Sequence, residues 1–310
     1  GGGGASRVVR GAPAFLPGGR GPGEMPRRSR LTPWLLSAPA LVLFLVLLLV
    51  PLLMTLLLSF NGFSFYGGIE PTYGLAKYLE VLGDGYFYEV FGRTFLIALA
   101  TTLICAVVGV PQAYFLFRMR PMWRSIMLLV VLGPLLISVV VRTLGWAILL
   151  GNRGVINEAL MKLGLVSSPL KMMYTSGGIV LALVHVMMPF MILAVWAALQ
   201  RQDPATEQAA ESLGAGPFTV FRRIVLPQAM PGVLSGSLIV FSLSASAFAT
   251  PAILGGRRVK MVSTTVYDEF LNTLNWPLGA AIAMLLLVSV LIIMAAWNRL
   301  VERRHAGVFA

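Results

Sequence analysis

The stretch RQDPATEQAAESLGAGPFTVFRRIVLP, residues 201–227, joins two long uncharged apolar runs and has the local chemistry of a helix followed by a turn. Asp203 is a favourable N-cap, and Pro204 is a favourable first helical residue. Residues 205–213 are mostly good helix formers, and Gly214 suits the left-handed position that ends a helix. The small side chains of this helix permit close approach, so we interpret it as an arm that docks into a groove of another protein.

A second helix is predicted to begin at Gly216 and Pro217 and to stop before Pro227. Its apolar side chains recur every three residues, at Phe218, Phe221 and Ile224. Residues 201–227 are therefore predicted to form a helix, a turn and a second helix, with an alanine-rich first arm and a basic, aromatic second arm.

Six apolar runs elsewhere in the sequence are long enough to cross a bilayer, which takes about 20 helical residues at a rise of about 1.5 Å each. Five of them contain no charged residue, and the third contains only Arg142. The runs cover residues 35–60, 94–117, 125–150, 177–200, 232–254 and 277–298. The chain is therefore predicted to be an all-α integral membrane protein with six transmembrane helices.

The composition of the 310-residue chain also indicates a lipid environment. Charged residues make up 12%, whereas soluble domains carry about 25%. The net charge is +12, and with the N-terminus inside, 15 Lys and Arg fall on inner segments against 8 on outer ones. Basic residues are retained in the cytoplasm, so both termini are predicted to be cytoplasmic. The basic surface then faces anionic membrane lipid and not nucleic acid.

The limits of the apolar runs divide the chain into five predicted segments. They are a disordered basic cytoplasmic tail at 1–33, a first transmembrane helix at 34–60, a periplasmic loop at 61–92, a five-helix core at 93–298 and a cytoplasmic tail at 299–310. Short helices are predicted in the outer loops, over residues 75–82 and 155–165. Whether residues 1–24 are native is left open by the sequence.

Within residues 201–227, the spacing Ala209-Ala210-x-x-x-Gly214, nine further residues and Ile224-x-Leu226-Pro227 resembles the EAA loop of the membrane-spanning subunits of binding-protein-dependent ABC importers. In that family the loop also precedes the penultimate span on the cytoplasmic side. The first glutamate of the family motif falls on Gln208, with Glu207 one residue earlier. Either Glu207 substitutes for that glutamate or the charge is dispensable here.

The resemblance implies the type I ABC importer permease fold in a bacterial inner membrane, with residues 35–60 as an additional first helix. It also implies a second permease subunit, either a different chain in a heterodimer or a copy of this one, together with two cytoplasmic ATPase subunits and a soluble periplasmic substrate-binding protein. ATP and magnesium would be bound by the ATPases, so this chain would carry no cofactor.

The same resemblance assigns roles within the loop. The first arm and its turn would dock onto an ATPase through Glu207, Gln208, Ala209, Ala210 and Gly214. The second arm would be anchored on the entrance to the fifth span through Ile224, Leu226 and Pro227. The alternative is a solvated loop that only connects two spans.

Two further segments are similar to the spermidine/putrescine permease subfamily. The first comprises Val141-Arg142-Thr143, Trp146 and residues 149–152, and the second covers residues 249–256. This similarity implies that the solute is a polyamine or another small organic molecule.

Seven side chains within the spans are candidates for the translocation pathway: Arg142, Trp146, His185, Ser242, Ser244, Ser246 and Phe248. Arg142 lies about 12 Å from the outer end of its run at helical rise, so it either acts in the pathway or reaches outward to a loop acid. For His185 and the hydroxyls, helix packing is favoured over a role in the pathway. Because no acid accompanies these residues, an amine would be recognised by aromatics and carbonyls or by an acid of the other permease. Otherwise the solute is not a polyamine.

The sequence lacks the motifs of several other function classes. It contains no phosphate-binding loop, no H-E-x-x-H and no G-x-S-x-G. Its two histidines, His185 and His305, lie on different segments, and Cys105 is its only cysteine, so no metal site is predicted. We therefore predict a transport subunit and not an enzyme. The spans contain no acid, which disfavours a stand-alone ion-coupled secondary transporter, the main alternative. A membrane enzyme or assembly factor is a third.

Overall fold

Six segments of the computed structural model are long and apolar enough to cross a membrane. They are Ser37–Ser59, Gly85–Arg118, Val139–Lys162, Ser176–Leu199, Pro217–Ala245 and Trp276–Arg299. The structure describes residues 1–2 and 32–305, so the predicted tail at 3–31 and residues 306–310 lie outside the described residues. The prediction of an all-α protein with six transmembrane helices is confirmed.

Thirteen helices, one hairpin and one π-helical segment make up the described part of the chain. In chain order they are α1 (Thr32–Ser59), β1 (Gly62–Ser64), β2 (Gly68–Glu70), α2 (Ala76–Gly83), α3 (Gly85–Arg118), α4 (Pro121–Leu136), α5 (Val139–Leu150), α6 (Val155–Lys162), α7 (Ser176–Leu199), α8 (Pro204–Ser212), α9 (Pro217–Val220), the π segment (Phe221–Val225), α10 (Leu226–Ala245), α11 (Ala249–Leu254), α12 (Val262–Leu271) and α13 (Trp276–His305). Helices α2 and α6 confirm that short helices form where they are predicted, near residues 75–82 and 155–165, although α6 falls within the membrane-length segment Val139–Lys162.

The chain divides into two units, residues 1–52 and 53–310. The first unit contains most of α1, whose side chains from Leu41 to Val50 are exposed. A helix that is apolar on all sides is typical of a membrane span.

The core of the second unit is formed by α3, α7 and α10, with α7 packed against both of the others. Leu183, Met191 and Val195 of α7 are fully buried between them. Gly109 of α3 and Gly236 of α10 both face Met191, where an added Cβ would come within 2.9 Å of its side chain. Glycines at these contacts let the helix backbones approach closely, which is how membrane helices commonly associate.

The third predicted span is wrong as a single helix over residues 125–150. The structure has two helices there, α4 and α5, because Ile137 and Ser138 adopt extended backbone between them. Pro134 lies in the last turn of α4, where its missing N–H removes one backbone hydrogen bond of that turn. The membrane-length segment is consequently Val139–Lys162, and α4 is a shorter apolar helix.

The fifth predicted span, residues 232–254, is also interrupted. Helix α10 ends at Ala245, and α11 begins at Ala249. At the break, the Ser246 hydroxyl donates to the carbonyl oxygen of Ser242 at 2.9 Å, a local bond that competes with helix continuation. The last span begins one residue before the predicted run and continues as α13 to His305, into the segment predicted as a tail.

Candidate functional site

The first arm of the 201–227 loop folds as its cap residues predict. The Asp203 carboxylate accepts the N–H of Ala205 at 2.9 Å, which caps the start of α8. Gly214 has a φ of +82°, the left-handed conformation predicted for the helix end. Two backbone hydrogen bonds of 3.0 Å close the turn, from the Gly214 N–H to the Glu211 oxygen and from the Ala215 N–H to the Ala210 oxygen. Helix α9 then begins at Pro217, which confirms the helix, turn, helix order.

The second arm does not stop before Pro227, as the sequence predicts, but continues into α10. The connection is the π segment Phe221–Val225, in which the Leu226 N–H donates to the Phe221 oxygen five residues earlier. A proline inside an ordinary α-helix lacks a donor and clashes with the carbonyl four residues before it. The wider π turn accommodates Pro227. Residues 217–245 therefore form one continuous helical segment that leads from the loop into the core.

Glu207 faces its own chain and not the outer surface of the loop. It is only 5% exposed, and its Oε2 accepts from Arg118 Nη2 at 2.8 Å and from the Tyr114 hydroxyl at 3.4 Å. Arg118 is the last residue of α3, and a basic side chain is favourable at a helix C-terminus. Glu207 thus fastens α8 to the end of α3.

Further contacts complete the attachment of the loop to α3. Arg118 also pairs with Glu211 at 2.8 Å, and its guanidinium lies 5.4 Å from the centre of the Tyr114 ring. The Tyr114 ring packs in turn on Phe221 of the π segment, with the ring centres 5.2 Å apart. Sequence reasoning missed Arg118, Tyr114 and Phe221 as members of this site. The only local signal was a basic residue in the last turn of a span.

Replacing Glu207 by alanine is expected to loosen α8, because the substitution leaves the partly buried Arg118 and Tyr114 donors without this acceptor. The cost is about 1–2 kcal/mol, reduced by the solvent that reaches Arg118. Hydrogen exchange of the α8 amides should rise roughly ten-fold. Glu211→Ala is the matched control, since Glu211 binds the same guanidinium but is half-exposed. Equal exchange in the two variants would contradict the anchoring role of Glu207.

The outward face of the loop carries the other predicted docking residues. Gln208, Ala209 and Gly214 are exposed, whereas Ala210 is half-buried and packs against the core of its own chain. Two large apolar side chains that sequence reasoning did not assign also project outward here: Leu213 is 88% exposed and Phe218 is 73% exposed. A contiguous patch of exposed apolar side chains is typical of a surface that binds another protein.

The three predicted anchoring residues lie at the junction between the π segment and α10. Ile224 and Leu226 are half-buried, and Leu226 packs against the main core. Pro227 is exposed. Ile224 and Leu226 are therefore partly covered by the rest of the chain. Pro227 is not, and it lies directly after the π segment.

Three of the predicted pathway residues come together in the membrane-spanning region. The indole Nε1 of Trp146 in α5 donates to Nδ1 of His185 in α7 at 3.2 Å, and the two rings meet edge to face. Arg142 lies one turn before Trp146 in α5. Within the described residues, Nε and Nη1 of Arg142 are buried without a hydrogen-bond partner.

The two interrupted helices are joined beside this group. The hydroxyls of Thr143 in α5 and Thr250 in α11 are 3.2 Å apart, and both residues are buried. This bond ties together the segments that follow the breaks at 137–138 and 246–248. Interrupted helices commonly form solute sites in transporters, because their ends offer unpaired backbone groups. No feature of the sequence predicts this pairing.

The remaining pathway candidates lie along α10 and at its end. Ser242 is half-buried, and Ser244 is fully buried with its hydroxyl oxygen unpartnered within the described residues. Ser246 donates to its own helix, as described above. The Phe248 ring packs on Tyr267, with ring centres 4.9 Å apart, so these residues do not join the Arg142 group in one cluster.

Phe248 and Tyr267 line a cavity of about 670 Å³ at the end of the core opposite the 201–227 loop. Lys260 and Asp268 also line it and form an ion pair of 2.6 Å. The hydrogen bond to Asp268 raises the pKa of Lys260 above its ordinary value, so Lys260 stays charged at neutral pH. No group of three or more His, Cys, Asp or Glu side chains within residues 32–305 is placed to hold a metal ion.

Comparison with known proteins agrees with this architecture. Residues 29–306 match the family described as Binding-protein-dependent transport system inner membrane component. The chain is 30% identical over 267 residues to the spermidine/putrescine transport system permease protein PotB of Escherichia coli, covering 85% of this chain and 96% of that protein. It is 31% identical over 287 residues to the inner membrane ABC transporter permease protein YdcU of the same organism, covering 84% and 90%.

The fold is also similar to that of solved transporters. A chain of a bacterial ABC transporter involved in the import of the acidic polysaccharide alginate superposes with a TM-score of 0.73 at 19% identity, covering 87% of this chain and 96% of that one. A chain of the inward-facing MetNI methionine ABC transporter gives a TM-score of 0.52 at 19% identity, covering 71% and 98%. The chain belongs to the family of binding-protein-dependent transport system inner membrane components and is a multi-pass permease subunit of an ABC importer.

Proposed function

We propose that this permease passes a polyamine-like or other small organic solute, delivered by a periplasmic binding protein, and is driven by ATP hydrolysed on two separate cytoplasmic subunits. One observation carries the proposal. The arm at 203–216 exposes Gln208, Ala209 and Leu213 on its outer side, while its inner side is fastened to α3 and its second half continues into α10. Such an arm can receive a displacement on one side and deliver it to the spans on the other.

The transmission follows from the contacts. Glu207 and Arg118 connect α8 to the end of α3, and the π segment connects α9 to α10 without a flexible joint. Both α3 and α10 pack on α7. When an ATPase pair closes and carries the docked arm with it, the three core helices move as one body. Alternating access in membrane transporters is largely such rigid-body movement around a fixed site.

The proposed orientation places both termini and the 201–227 loop in the cytoplasm. It is supported by the excess of Lys and Arg on that side of the sequence. The same orientation brings the exposed Leu213 and Phe218 to the compartment that contains ATP, where an ATPase subunit would cover them.

The polyamine-like solute is supported by the names of the relatives, which include spermidine/putrescine permeases. Aromatic rings can hold ammonium groups in a membrane, and Trp146 within α5 and Phe248 at the break before α11 offer such rings. At Trp146 an acid for the amine would come from a second permease subunit, because this chain has no Asp or Glu between Glu89 and Glu158. Beside Phe248, Asp268 of this chain lines the same cavity.

Reconstitution of the assembled importer in proteoliposomes tests the proposal. Uptake of labelled putrescine or spermidine should require both the binding protein outside and ATP on the side of the 201–227 loop. The comparison is the chain alone under a proton gradient. Uptake in that sample would establish the ion-coupled transporter instead, and loss of ATP dependence in the complex would contradict the coupling mechanism. Uptake of a different small solute would retain the mechanism and replace the substrate class.

A further inference from the structure

A second cavity, of about 630 Å³, lies beside the one that Phe248 and Tyr267 line, and the two cavities share Arg257. Its charged side chains are three cations, Lys171, Arg257 and Arg258, and its described lining includes no Asp or Glu. Three like charges around one cavity repel one another, and an anion that enters the cavity is attracted by all three.

None of these three cations is neutralised by an acid of its own chain. They form no ion pair within the described residues, and all three are exposed. The acids of the adjacent cavity have other partners. Asp268 binds Lys260 at 2.6 Å, and Glu269 accepts the Thr273 hydroxyl at 2.6 Å. The positive charge is therefore available to a group from outside the chain.

Two of the segments around the cavity are held in place by one buried side chain. Asn157 is fully buried, and its amide donates to the Gly151 oxygen at 3.0 Å and to the Leu170 oxygen at 3.1 Å. Its own oxygen accepts the Leu170 N–H at 2.8 Å. Asn152 and Lys171, which line the cavity, directly follow these two bonded residues. Their backbone is therefore fixed before any ligand arrives.

The third segment around the cavity is attached through Tyr174. The Tyr174 N–H donates to the Leu254 oxygen at 2.8 Å. Gly256 has a φ of +53°, and an added Cβ there would lie 3.0 Å from the Tyr174 ring. The Arg258 guanidinium lies 6.0 Å from the centre of the same ring, a distance at which a cation and an aromatic face attract each other. The cations are thus carried by a preorganised frame, which lowers the entropy cost of binding.

The cavity lies at the end of the core that is remote from the 201–227 loop. Thr175 lines it and caps the start of α7, where its hydroxyl oxygen accepts the Gly178 N–H at 3.1 Å. The loop follows the other end of α7, at Leu199, about 36 Å away at helical rise. In the proposed orientation the three exposed cations therefore face the periplasm.

We propose that Lys171, Arg257 and Arg258 bind acidic side chains of the periplasmic binding protein when it docks on this chain. The inference rests on the proposed function, which supplies that partner, and on membership of a binding-protein-dependent family. A polyamine is not the occupant, because three cations repel its ammonium groups. Carboxylates match the planar fork of an arginine, and complementary charges of this kind steer association and fix the register of two proteins.

Association of the binding protein with the assembled importer tests the site. The importer is held in nanodiscs of phosphatidylcholine, and the partner is the binding protein that supports uptake in the proteoliposome assay. Arg257→Gln/Arg258→Gln should weaken association about ten-fold at low salt. The difference should largely disappear at about 1 M salt, where the Debye length is about 3 Å.

Two matched variants separate the cavity from charge in general. Arg153→Gln/Lys162→Gln removes the same charge from exposed positions outside the cavity and should change association by less than about two-fold. Arg257→Lys/Arg258→Lys keeps the charge and loses only the fork geometry, so it should weaken association less than the glutamine pair does.

Carbodiimide crosslinking of the wild-type complex identifies the source of the carboxylate. The reagent joins an amine to a carboxylate in direct contact. Lys171 should therefore be joined to an Asp or Glu of the binding protein, whereas the exposed Lys162 should not. This measurement needs no substitution, so it tests the site even if the glutamine pair disturbs folding.

Association of the Arg257→Gln/Arg258→Gln importer equal to that of the Arg153→Gln/Lys162→Gln importer would overturn the proposal. Crosslinking of Lys171 only to another subunit of the importer would do the same. So would a defect that requires phosphatidylglycerol in the nanodiscs, because the occupant would then be a lipid headgroup. Uptake that needs no binding protein would refute the proposed function instead. Uptake that depends on the binding protein, with docking unaffected by the glutamine pair, would refute this inference alone.

Discussion

Replacing Gly214 by valine is expected to reduce ATP-driven uptake by the assembled importer about 100-fold. Gly214 has a φ of +82°, and a β-branched residue in this left-handed conformation destabilises the fold by about 1–2 kcal/mol. If the backbone moves to relieve it, the two 3.0 Å hydrogen bonds that close α8 are lost, at about 1 kcal/mol each. Either way the direction of α9 relative to α8 changes. The docked arm would then no longer transmit its displacement to α10.

The sequence contains a matched control for this variant at the end of α6. Gly164 has a φ of +69°, and its turn is closed by the same pair of hydrogen bonds, from the Gly164 N–H to the Met161 oxygen and from the Leu165 N–H to the Leu160 oxygen. An added Cβ meets nothing within 4 Å at either glycine. Gly164→Val therefore imposes the same local strain outside the 201–227 loop, at a place where the proposed function puts no ATPase.

Uptake and ATPase activity of both variants are measured in the same proteoliposome preparation. Gly164→Val should retain most of the uptake. Gly214→Val should insert into the membrane normally and lose uptake together with the stimulation of ATPase activity by the binding protein. Normal uptake by Gly214→Val would refute the coupling role of the loop, and equal losses in both variants would show that the effect is strain and not docking.

The first arm of the loop was predictable because its signals are local. Asp203, Pro204 and Gly214 each satisfy a backbone requirement within a few residues of their own position, so their sequence spacing contains the information. The six apolar segments were predictable for a similar reason, since the length of an uncharged run alone decides whether it can span a bilayer.

The parts that sequence reasoning missed depend on distant partners or on small changes of backbone geometry. Glu207 is adjacent to the motif position, but its inward direction is set by Arg118, 89 residues earlier. Hydropathy contains no information about backbone hydrogen bonds. An uninterrupted apolar run therefore does not predict the helix breaks at 137–138 and 246–248. Pro227 predicts a helix end, but it lies in the first turn of α10, and the π turn before it joins this helix to α9.

Replacing Gly232 by valine is expected to have the largest effect on the stability of the fold. A Cβ at this position would lie 2.6 Å from the Ala198 Cβ, 2.7 Å from the Ala194 oxygen and 2.9 Å from the Val195 Cα. Two of these three atoms belong to the α7 backbone, so no change of side-chain rotamer can relieve the contact. Helices α7 and α10 would have to separate, and such overpacking costs about 3 kcal/mol or more.

Gly133→Val provides the control, because Gly133 is also helical and an added Cβ there meets nothing within 4 Å. Thermal unfolding in detergent should show a clear loss of stability for Gly232→Val and little change for Gly133→Val. Gly232→Ala should already be destabilised, since its single methyl group occupies the position of the clash. A Gly232→Ala protein as stable as wild type would mean that α7 and α10 do not hold this close contact. In that case a rigid connection from the 201–227 loop through α10 to α7 could not explain how ATP hydrolysis is coupled to transport, even if the loop itself docks as proposed.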